Sequence, residues 1–220
     1  MNILLVAATA FEIAAFAESD GAVLPGNVRL HVCITGVGLM AATYKLTESI
    51  GKHRPDFVLQ VGIAGAFPHS GFSPGDMVFV ARELIGDCGT EDGNLFLDVF
   101  DMGLVAADSF PFNQKYIINP MEGLAAKIDL PKVAGLTVHT VSGSEKTAER
   151  RAEKYQADVE SMEGAALHYV CRQQHIPFAQ VRCISNMVER RDKSKWEIEK
   201  ALRRLNDWLS AFLQKAINED

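Results

Sequence analysis

The chain has 220 residues, of which 48% are hydrophobic and 23% are charged, and its formal net charge is −6. This length suffices for one domain with a full core over residues 1–220, and the acidic balance argues against a nucleic-acid partner. No apolar run approaches the roughly 20 residues that a membrane span needs, and the opening MNILLVAATAFE lacks the basic residues of a signal peptide. We therefore expect a cytoplasmic protein that binds neither nucleic acid nor membrane.

The cysteines and histidines predict neither disulfides nor a metal site. The four cysteines contain no CxxC pair, which is typical of reduced thiols. His168 and His175 lie seven residues apart, about two helical turns, but no cysteine or carboxylate completes a ligand set around them.

Apolar runs typical of buried strands recur along the chain and alternate with helical patterns. Residues 2–9 are almost continuously apolar, as in a strand covered on both faces. The predicted strands are residues 2–9 and 29–35, DFVLQVGIAG from Asp56, GDMVFVARELI from Gly75, VAGLTVHTVSG from Val133 and PFAQVRCISN from Pro177. The predicted helices are residues 38–50, 145–155, 160–175 and 194–217. This alternation predicts an α/β fold with a mainly parallel (mixed) central twisted sheet flanked by helices.

Two segments have a character of their own. In the last helix, Ser194 and Glu197 predict a capping box. One apolar stripe follows, made of Ile198, Ala201, Leu202, Leu205, Leu209, Phe212 and Leu213. The stretch 86–103 (GDCGTEDGNLFLDVFDMG) is acidic and loop-like, and is the main irregular insertion.

A glycine-rich turn invites a dinucleotide-binding interpretation. Residues 36–41 (GVGLMA) fit G-x-G-x-x-G/A between a strand and a helix. A dinucleotide site also needs an acid about 20 residues further on, at the end of the next strand. That strand ends in VGIAG, without an acid. We therefore expect no cofactor, and a tight turn whose glycines let the backbone approach another group closely.

Polar residues lie at or just after the ends of several predicted strands. They are Glu12 after the first strand, Ser142 at the end of the fifth, and Ser185 with Asn186 at the end of the sixth, while Glu163 opens the helix before the sixth. In open α/β sheets, ligands bind beyond the carboxyl ends of the strands. The topology is therefore expected to bring these groups to one edge of the sheet.

Motifs along nearly the whole chain then carry a family resemblance. They are Glu12 after the first strand, TGVG at 35–38, VGIAG at 61–65, GDMV at 75–78, VSG at 141–143, ESMEGAA at 160–166 and PFAQVRCISN at 177–186. In this order they resemble the nucleoside phosphorylase/nucleosidase superfamily, in its methylthioadenosine/S-adenosylhomocysteine nucleosidase-like branch. The pieces GDCGTEDG and SNMVERRDKSKW most resemble the futalosine hydrolases of the alternative menaquinone pathway. The resemblance implies the fold of that superfamily, a homodimer or higher homo-oligomer, and hydrolysis of futalosine with release of hypoxanthine.

N-glycoside cleavage explains why such residues are needed. The C1′–N9 bond breaks through an oxocarbenium-like transition state. The resemblance implies that Glu163 holds the ribose hydroxyls and stabilises the developing positive charge, and that Met162 packs on the sugar. Substrate contacts are further implied for Ala64, Gly65 and Ser142.

The resemblance also implies that Glu12 is the general base for water. An alternative interpretation of Glu12 and Glu163 is an acid placed at a helix start, where the helix dipole favours it. We expect Glu160, three residues before Glu163, to be a solvated cap.

Asn186 indicates which purine leaves. The adenine nucleosidases carry Asp in this Ile-Ser-Asp position, whereas this chain has Asn186. Adenine protonated at N7 offers two donors, which a carboxylate matches; hypoxanthine offers N7–H and the acceptor O6, which a carboxamide matches. Asn186 therefore predicts a 6-oxopurine leaving group, although Asn cannot act as a general acid. The alternative is a strand-end Asn that only makes a turn.

Charged and aromatic residues near the predicted site bear on the nucleophile and on the 5′ side. Phosphorolysis usually requires arginines near the glycine turns, and none lies near residues 36–38 or 62–65 in the sequence, so water is the expected nucleophile. Futalosine carries a benzoate-bearing 5′ chain, for which Arg190, Arg191 and Trp196 are candidates; a solvated charged turn explains them equally well. Phe112 is a candidate for the 5′ pocket across a subunit boundary.

Three interpretations stay open from the sequence. The first is a futalosine hydrolase. The second is a nucleosidase or phosphorylase for another purine nucleoside, such as 6-aminofutalosine or methylthioadenosine. The third is a non-catalytic nucleoside-binding protein, against which the presence of both Glu12 and Glu163 argues, because a binder needs no water-activating base.

Overall fold

The computed structural model describes residues 1–93 and 95–218. The strands are β1 (Asn2–Ala7), β2 (Ala22–Leu24), β3 (Val28–Ile34), β4 (Phe57–Ala66), β5 (Met77–Ile85), β6 (Gly89–Asp92), β7 (Leu95–Asp98), β8 (Phe112–Asn113), β9 (Tyr116–Ile118), β10 (Lys132–Thr137), β11 (Val159–Ser161) and β12 (Phe178–Met187). The helices are α1 (Leu39–His53), α2 (Glu145–Tyr155), α3 (Gly164–Gln174) and α4 (Ile198–Asn218).

A mixed sheet runs through the molecule in the order β2-β3-β1-β4-β11-β10-β5-β9-β8. β1 pairs in parallel with β3 and β4, and β10 pairs in parallel with β5 and β11. β12 is parallel to β4 but antiparallel to β5, and β11 is antiparallel to β4. The strands β4, β12, β5, β10 and β11 therefore pair in a closed ring. Small and β-branched side chains from all five strands form one core cluster: Ala64, Ala66, Val78, Val80, Val133, Val159 and Ile184.

Helices cover both faces of the sheet, which explains the unbroken apolar run of β1. Leu4 packs in one cluster with Leu46 of α1 and with residues of α3. Leu5, its neighbour, packs in another cluster with Leu205 of α4. Successive side chains of a strand point to opposite faces, so a strand buried on both faces needs apolar residues throughout. The α/β prediction is confirmed.

Three local predictions are wrong. Residues 159–161 form β11 rather than the start of the helix at 160–175, because they pair with β10 and β4. The stretch 86–103 contains an antiparallel hairpin of β6 and β7 rather than loop alone. Ser194 does not cap α4: it lies in a short 3-10 turn in which its N–H donates to Asp192 Oδ1 at 3.0 Å, and α4 begins at Ile198.

Across residues 1–93 and 95–218, no helix combines the length and apolar character that crossing a bilayer would require.

Candidate active site

A cleft of about 550 Å³ opens at the ends of β1, β4, β11 and β12. The parallel strands β1, β4 and β12 present their carboxyl ends here, as expected for a ligand site in an α/β sheet. The lining includes Glu12, Glu163 and Asn186 together with Met162 and Ala64. The sequence placed these residues at separate strand and helix ends, and the structure brings them around one cavity.

Glu12 lies in a 3-10 turn, Ala10–Ile13, that directly follows β1. Its carboxylate accepts hydrogen bonds from the backbone N–H of Thr9 at 3.0 Å and of Ile63 at 3.2 Å. The residue is only 7% exposed. Two backbone donors thus orient the carboxylate, and its remaining lone pairs are available to a ligand in the cleft.

Glu163 occupies the N-cap position of α3 and is buried. Its Oε1 accepts a hydrogen bond of 2.9 Å from Gly38 N–H. Gly38 has φ +95°, a conformation that L side chains rarely adopt. The glycine turn that fits the dinucleotide motif therefore holds Glu163, a candidate catalytic residue, through a backbone hydrogen bond.

Arg182 is a site residue that sequence reasoning missed. It lies on β12, is 1% exposed, and places Nη2 at 4.0 Å from Glu163 Oε2 and at 3.2 Å from Gln60 Oε1. The sequence feature that could have revealed Arg182 is its position within a predicted buried strand, where a charged residue is unusual. The alternation of PFAQVRCISN suggests a solvent face, but the polar residues Gln180 and Arg182 are buried.

Arg182 also corrects the expectation that no arginine lies near the glycine turns. A side-chain Cβ at Gly62 would come within 2.3 Å of Arg182 Nη1 and 2.7 Å of Glu12 Oε1. The missing side chain at Gly62 is therefore what lets both charged groups approach β4.

Burial raises the pKa of the Glu163 carboxyl above its ordinary value of 4.5. The nearby Arg182 charge and the Gly38 hydrogen bond lower the pKa of Glu163, while the charge of Glu12 raises it. The Glu163 carboxyl thus interacts electrostatically with the buried guanidinium of Arg182 and with the carboxylate of Glu12, which lines the same cleft.

A bulge in β12 aims Asn186 at the cleft. The register with β4 shifts between Ile184 and Asn186, so Ser185 is the extra residue. Ser185 Oγ lies 2.8 Å from Asn186 Oδ1, and Asn186 Nδ2 donates to the carbonyl of Met187 at 2.9 Å. These contacts fix the amide and leave one Oδ1 lone pair and one N–H for a ligand.

The predicted substrate-contact residues behave differently from one another. Met162, Ala64 and Gly65 line the cleft. A Cβ at Gly65 would lie 3.1 Å from Asn186 Nδ2, so glycine leaves room for that amide. Ser142 does not line the cleft, unlike its neighbour Val141: it is 8% exposed, and its N–H and Oγ both donate to Glu160 at 2.7 Å.

Glu160 is not the solvated cap that the sequence suggested. It is 5% exposed, lies on β11, lines the cleft and pairs with Arg151 Nη1 at 3.0 Å. The expectation failed because residues 159–161 form a buried strand instead of an exposed helix start.

The 5′-side candidates divide into two groups. Arg191 and Trp196 both line the cleft, with the guanidinium 5.5 Å from the indole centroid. Arg190 does not belong to the lining, and Phe112 lines a separate cavity of about 360 Å³ with Pro111. A role for Phe112 across a subunit boundary stays a prediction.

One group of side chains outside the cleft offers metal-type ligand atoms, which the sequence did not suggest. Atoms of Asp20, His31 and His53 lie within 4.8 Å of one another. None of the three lines the cleft.

A family model and several curated proteins match the chain, among them a 5'-methylthioadenosine/S-adenosylhomocysteine nucleosidase of Bacillus subtilis that is 26% identical over 159 residues. The family model described as "Phosphorylase superfamily" matches residues 3–218. The futalosine hydrolase of Thermus thermophilus is 31% identical over 170 residues, which is 76% of this chain and 74% of that protein. The futalosine hydrolase of Acidothermus cellulolyticus is 28% identical and covers 95% of this chain and 89% of its own.

A solved structure supports the same fold. The native structure of futalosine hydrolase of Helicobacter pylori superposes with a TM-score of 0.78 at 18% identity, over 98% of each chain. At this identity the likeness concerns the fold alone.

Proposed function

The chain belongs to the phosphorylase superfamily and, within it, to the futalosine hydrolase family, and we propose that it hydrolyses the N-glycosidic bond of futalosine to release hypoxanthine. The reaction would serve the futalosine route of menaquinone biosynthesis. The observation that carries the proposal is one cleft that holds Glu12, Glu163 and Asn186 at its lining. Each of these residues has a separate task in the cleavage.

Glu12 and Glu163 serve the sugar and the attacking water. Glu163 accepts hydrogen bonds from the ribose and stabilises the positive charge that develops on it as C1′–N9 breaks. Glu12 accepts a proton from water as the water oxygen bonds to C1′. The backbone N–H groups of Thr9 and Ile63 hold this base in place.

Asn186 serves the leaving purine. As C1′–N9 breaks, the departing purine takes up a proton at N7 from water, because Asn186 has no acidic proton to give. The free Oδ1 lone pair of Asn186 then accepts from N7–H, and its free N–H donates to O6. Ser185 and the carbonyl of Met187 support this orientation by occupying the other positions of the amide. A 6-aminopurine would face the amide N–H with its own donor, a mismatch that costs on the order of 1–3 kcal/mol in a dry site.

Water rather than phosphate is the nucleophile in this proposal. A lack of arginine cannot explain this preference, because Arg182 lies beside Gly62. The glycine turn does explain it: Gly38 N–H, a donor of the kind that binds phosphate, already donates to Glu163. The nearby carboxylates of Glu12 and Glu163 would also repel a phosphate dianion.

Arg191 and Trp196 are proposed to receive the 5′ substituent. A guanidinium beside an indole can pair with a benzoate carboxylate and offer a stacking surface. Both residues line the same cleft as Asn186.

We further propose a cytoplasmic homodimer or higher homo-oligomer. The four cysteines are free thiols, in keeping with a reducing compartment. Phe110 is 53% exposed and lines the same cavity as Phe112, and a second subunit would cover it. Light scattering of the purified chain measures its mass; a monomer at micromolar concentration would contradict this part.

Base release from futalosine in phosphate-free buffer tests the function. We expect hypoxanthine to appear, and its rate to stay the same when phosphate is added. Release that requires phosphate would instead assign a phosphorylase. Tight binding of futalosine without release would assign a binder.

A further inference from the structure

The acidic insertion packs on the basic side of α2. Glu91 Oε1 lies 3.4 Å from Arg150 Nη1, and Lys154 pairs with Asp98 and Asp101. Lys154 Nζ also donates to the carbonyl of Phe96 at 2.8 Å. The hairpin and the residues around it are thus fastened to one helix by opposite charges.

Arg151 of α2 connects this insertion to the cleft. Its Nη2 lies 3.4 Å from Asp87 Oδ2. Its Nη1 donates to the carbonyl of Thr140 at 2.8 Å and to Ser142 Oγ and Glu160 Oε2 at 3.0 Å. Arg151 is 6% exposed and Glu160 is 5% exposed, so solvent screens this pairing little.

The segment 139–143 after β10 is held from both sides by the same acids. Asp87 Oδ2 accepts from the N–H groups of His139 at 2.8 Å and Thr140 at 2.9 Å. Glu160 Oε1 accepts from Ser142 N–H at 2.7 Å. Val141, between these anchored residues, lines the cleft, and so does Glu160.

We propose that Arg151 is a positioning residue for substrate binding: it neutralises Asp87 and Glu160 and thereby holds the segment 139–143 as one wall of the cleft. Without the guanidinium, two carboxylates near one backbone segment would lack their shared cation. The segment would then lose its fixed position, and with it the shape of the wall at Val141. The acidic insertion contributes by holding Asp87 and α2. The expected effect on nucleoside binding rests on the function proposed above.

Arg151→Met and Arg150→Met form a matched pair for the test. The two arginines are consecutive residues of α2, but the Arg150 side chain is 34% exposed and pairs with Glu91 at the surface. Hydrogen–deuterium exchange measures how firmly the backbone of residues 139–143 is held, without substrate. KM and kcat with futalosine then measure separately how each substitution affects binding and chemistry.

For Arg151→Met we expect exchange in 139–143 to speed up about tenfold or more. KM should rise about tenfold or more while kcat changes less than about threefold. Arg150→Met should change neither readout. Glu160→Gln is the second variant, for use if Arg151→Met does not fold. It keeps an acceptor for Ser142 but removes the charge that pairs with Arg151. Exchange in 139–143 should become faster and KM should rise, each by about threefold or more.

Unchanged exchange in a folded Arg151→Met or Glu160→Gln protein would overturn the proposal, and so would faster exchange with an unchanged KM. If the wild-type protein does not cleave futalosine, the proposed function fails. Hydrogen–deuterium exchange would then still show whether Arg151 holds the segment 139–143 in place.

Discussion

Glu12 and Glu163 place two buried carboxylates at the lining of the cleft, and Arg182 is the buried cation beside them. Neither carboxylate would tolerate such burial alone, because an unpaired buried charge is costly. Backbone donors at Ile63 and Gly38 supply the remaining stabilisation. At the scale of single residues, the site depends on donors that hold each acid in place before substrate arrives.

The first prediction concerns Glu12. Glu12→Gln keeps the shape and an acceptor oxygen but removes the base, so kcat should fall about a hundredfold or more. Substrate affinity, measured by calorimetry with the inactive variant, should change by less than about threefold. The exposed neighbour Glu18 offers a control, since Glu18→Gln should leave kcat unchanged. Full activity of Glu12→Gln would remove Glu12 from the mechanism.

The second prediction concerns Asn186. Asn186→Asp replaces the amide N–H that faces O6 with an acceptor, so the ratio of 6-amino to 6-oxo cleavage should rise about tenfold or more. Asn186→Ala removes both groups and should slow both substrates without reversing the preference. Competition between the two nucleosides, followed by chromatography of the bases, measures the ratio. An unchanged ratio in Asn186→Asp would mean that Asn186 does not select the purine by the hydrogen-bonding groups on its edge.

At the scale of elements, β4 and β12 build the floor of the cleft together. They pair in parallel from Phe178 opposite Val58 to Ile184 opposite Ala64, and the bulge at Ser185 then turns Asn186 toward the ligand space. Gly62 on β4 makes room for Arg182 of β12 and for Glu12. The position of the site thus depends on close contact between two neighbouring strands.

The third prediction tests that contact with two glycines. Gly62→Ala would place a methyl 2.3 Å from Arg182 Nη1, so it should destabilise the fold by about 1–3 kcal/mol and lower kcat. Gly51→Ala is the matched control: its methyl meets nothing within 4 Å, and in α1 it should stabilise by up to about 1 kcal/mol. Urea titrations of both variants measure these changes. Wild-type stability and activity in Gly62→Ala would contradict the packing argument.

The same strands show what the sequence could and could not predict. Strand positions followed from continuous apolar runs, and α2 was predicted at its observed bounds, 145–155. β11 was missed because three residues carry too little pattern, and its pairing partners are distant in the chain. The candidates Glu12, Glu163 and Asn186 came from strand ends and motifs. Arg182 was missed because its charge partners meet it only in three dimensions.

At the scale of the whole molecule, a buried polar network links the ring of strands to α3. Glu83 on β5 is fully buried and accepts from Gln180 Nε2 at 2.9 Å and from Thr137 Oγ1 at 3.0 Å. Thr137 Oγ1 in turn accepts from Ala165 N–H at 2.7 Å, in the first turn of α3. His168 of α3 is also fully buried, with Nδ1 2.9 Å from the carbonyl of Ile117.

This network makes stability depend on pH in two opposing ways. Burial raises the pKa of Glu83 from 4.5 to about 7, so its contribution to stability falls as pH rises from about 4.5 to 7. Burial lowers the pKa of His168 from 6.5 to about 4, so its contribution is lost as pH falls from about 6.5 to 4. The two slopes oppose each other over most of the same range.

The fourth prediction separates the pH-dependent contributions of Glu83 and His168 to stability. Relative to wild type, Glu83→Gln should become more stable as pH rises from about 4.5 to 7. In this range Glu83 of the wild-type protein ionises in the unfolded chain but stays protonated in the folded one, which favours unfolding, and glutamine lacks this effect. His168→Asn should become relatively more stable as pH falls from about 6.5 to 4, because the wild-type protein alone carries the buried imidazole. Free energies of unfolding across this range measure both differences. Slopes of the same sign would contradict the account.

The most direct test of the central claim is base release by the wild-type protein from futalosine and from its 6-amino counterpart, side by side and without phosphate. The account predicts hypoxanthine from futalosine, at a rate at least about tenfold above that of adenine from the amino form. Equal release of adenine would contradict the role of Asn186. Release of neither base would contradict the hydrolase assignment itself.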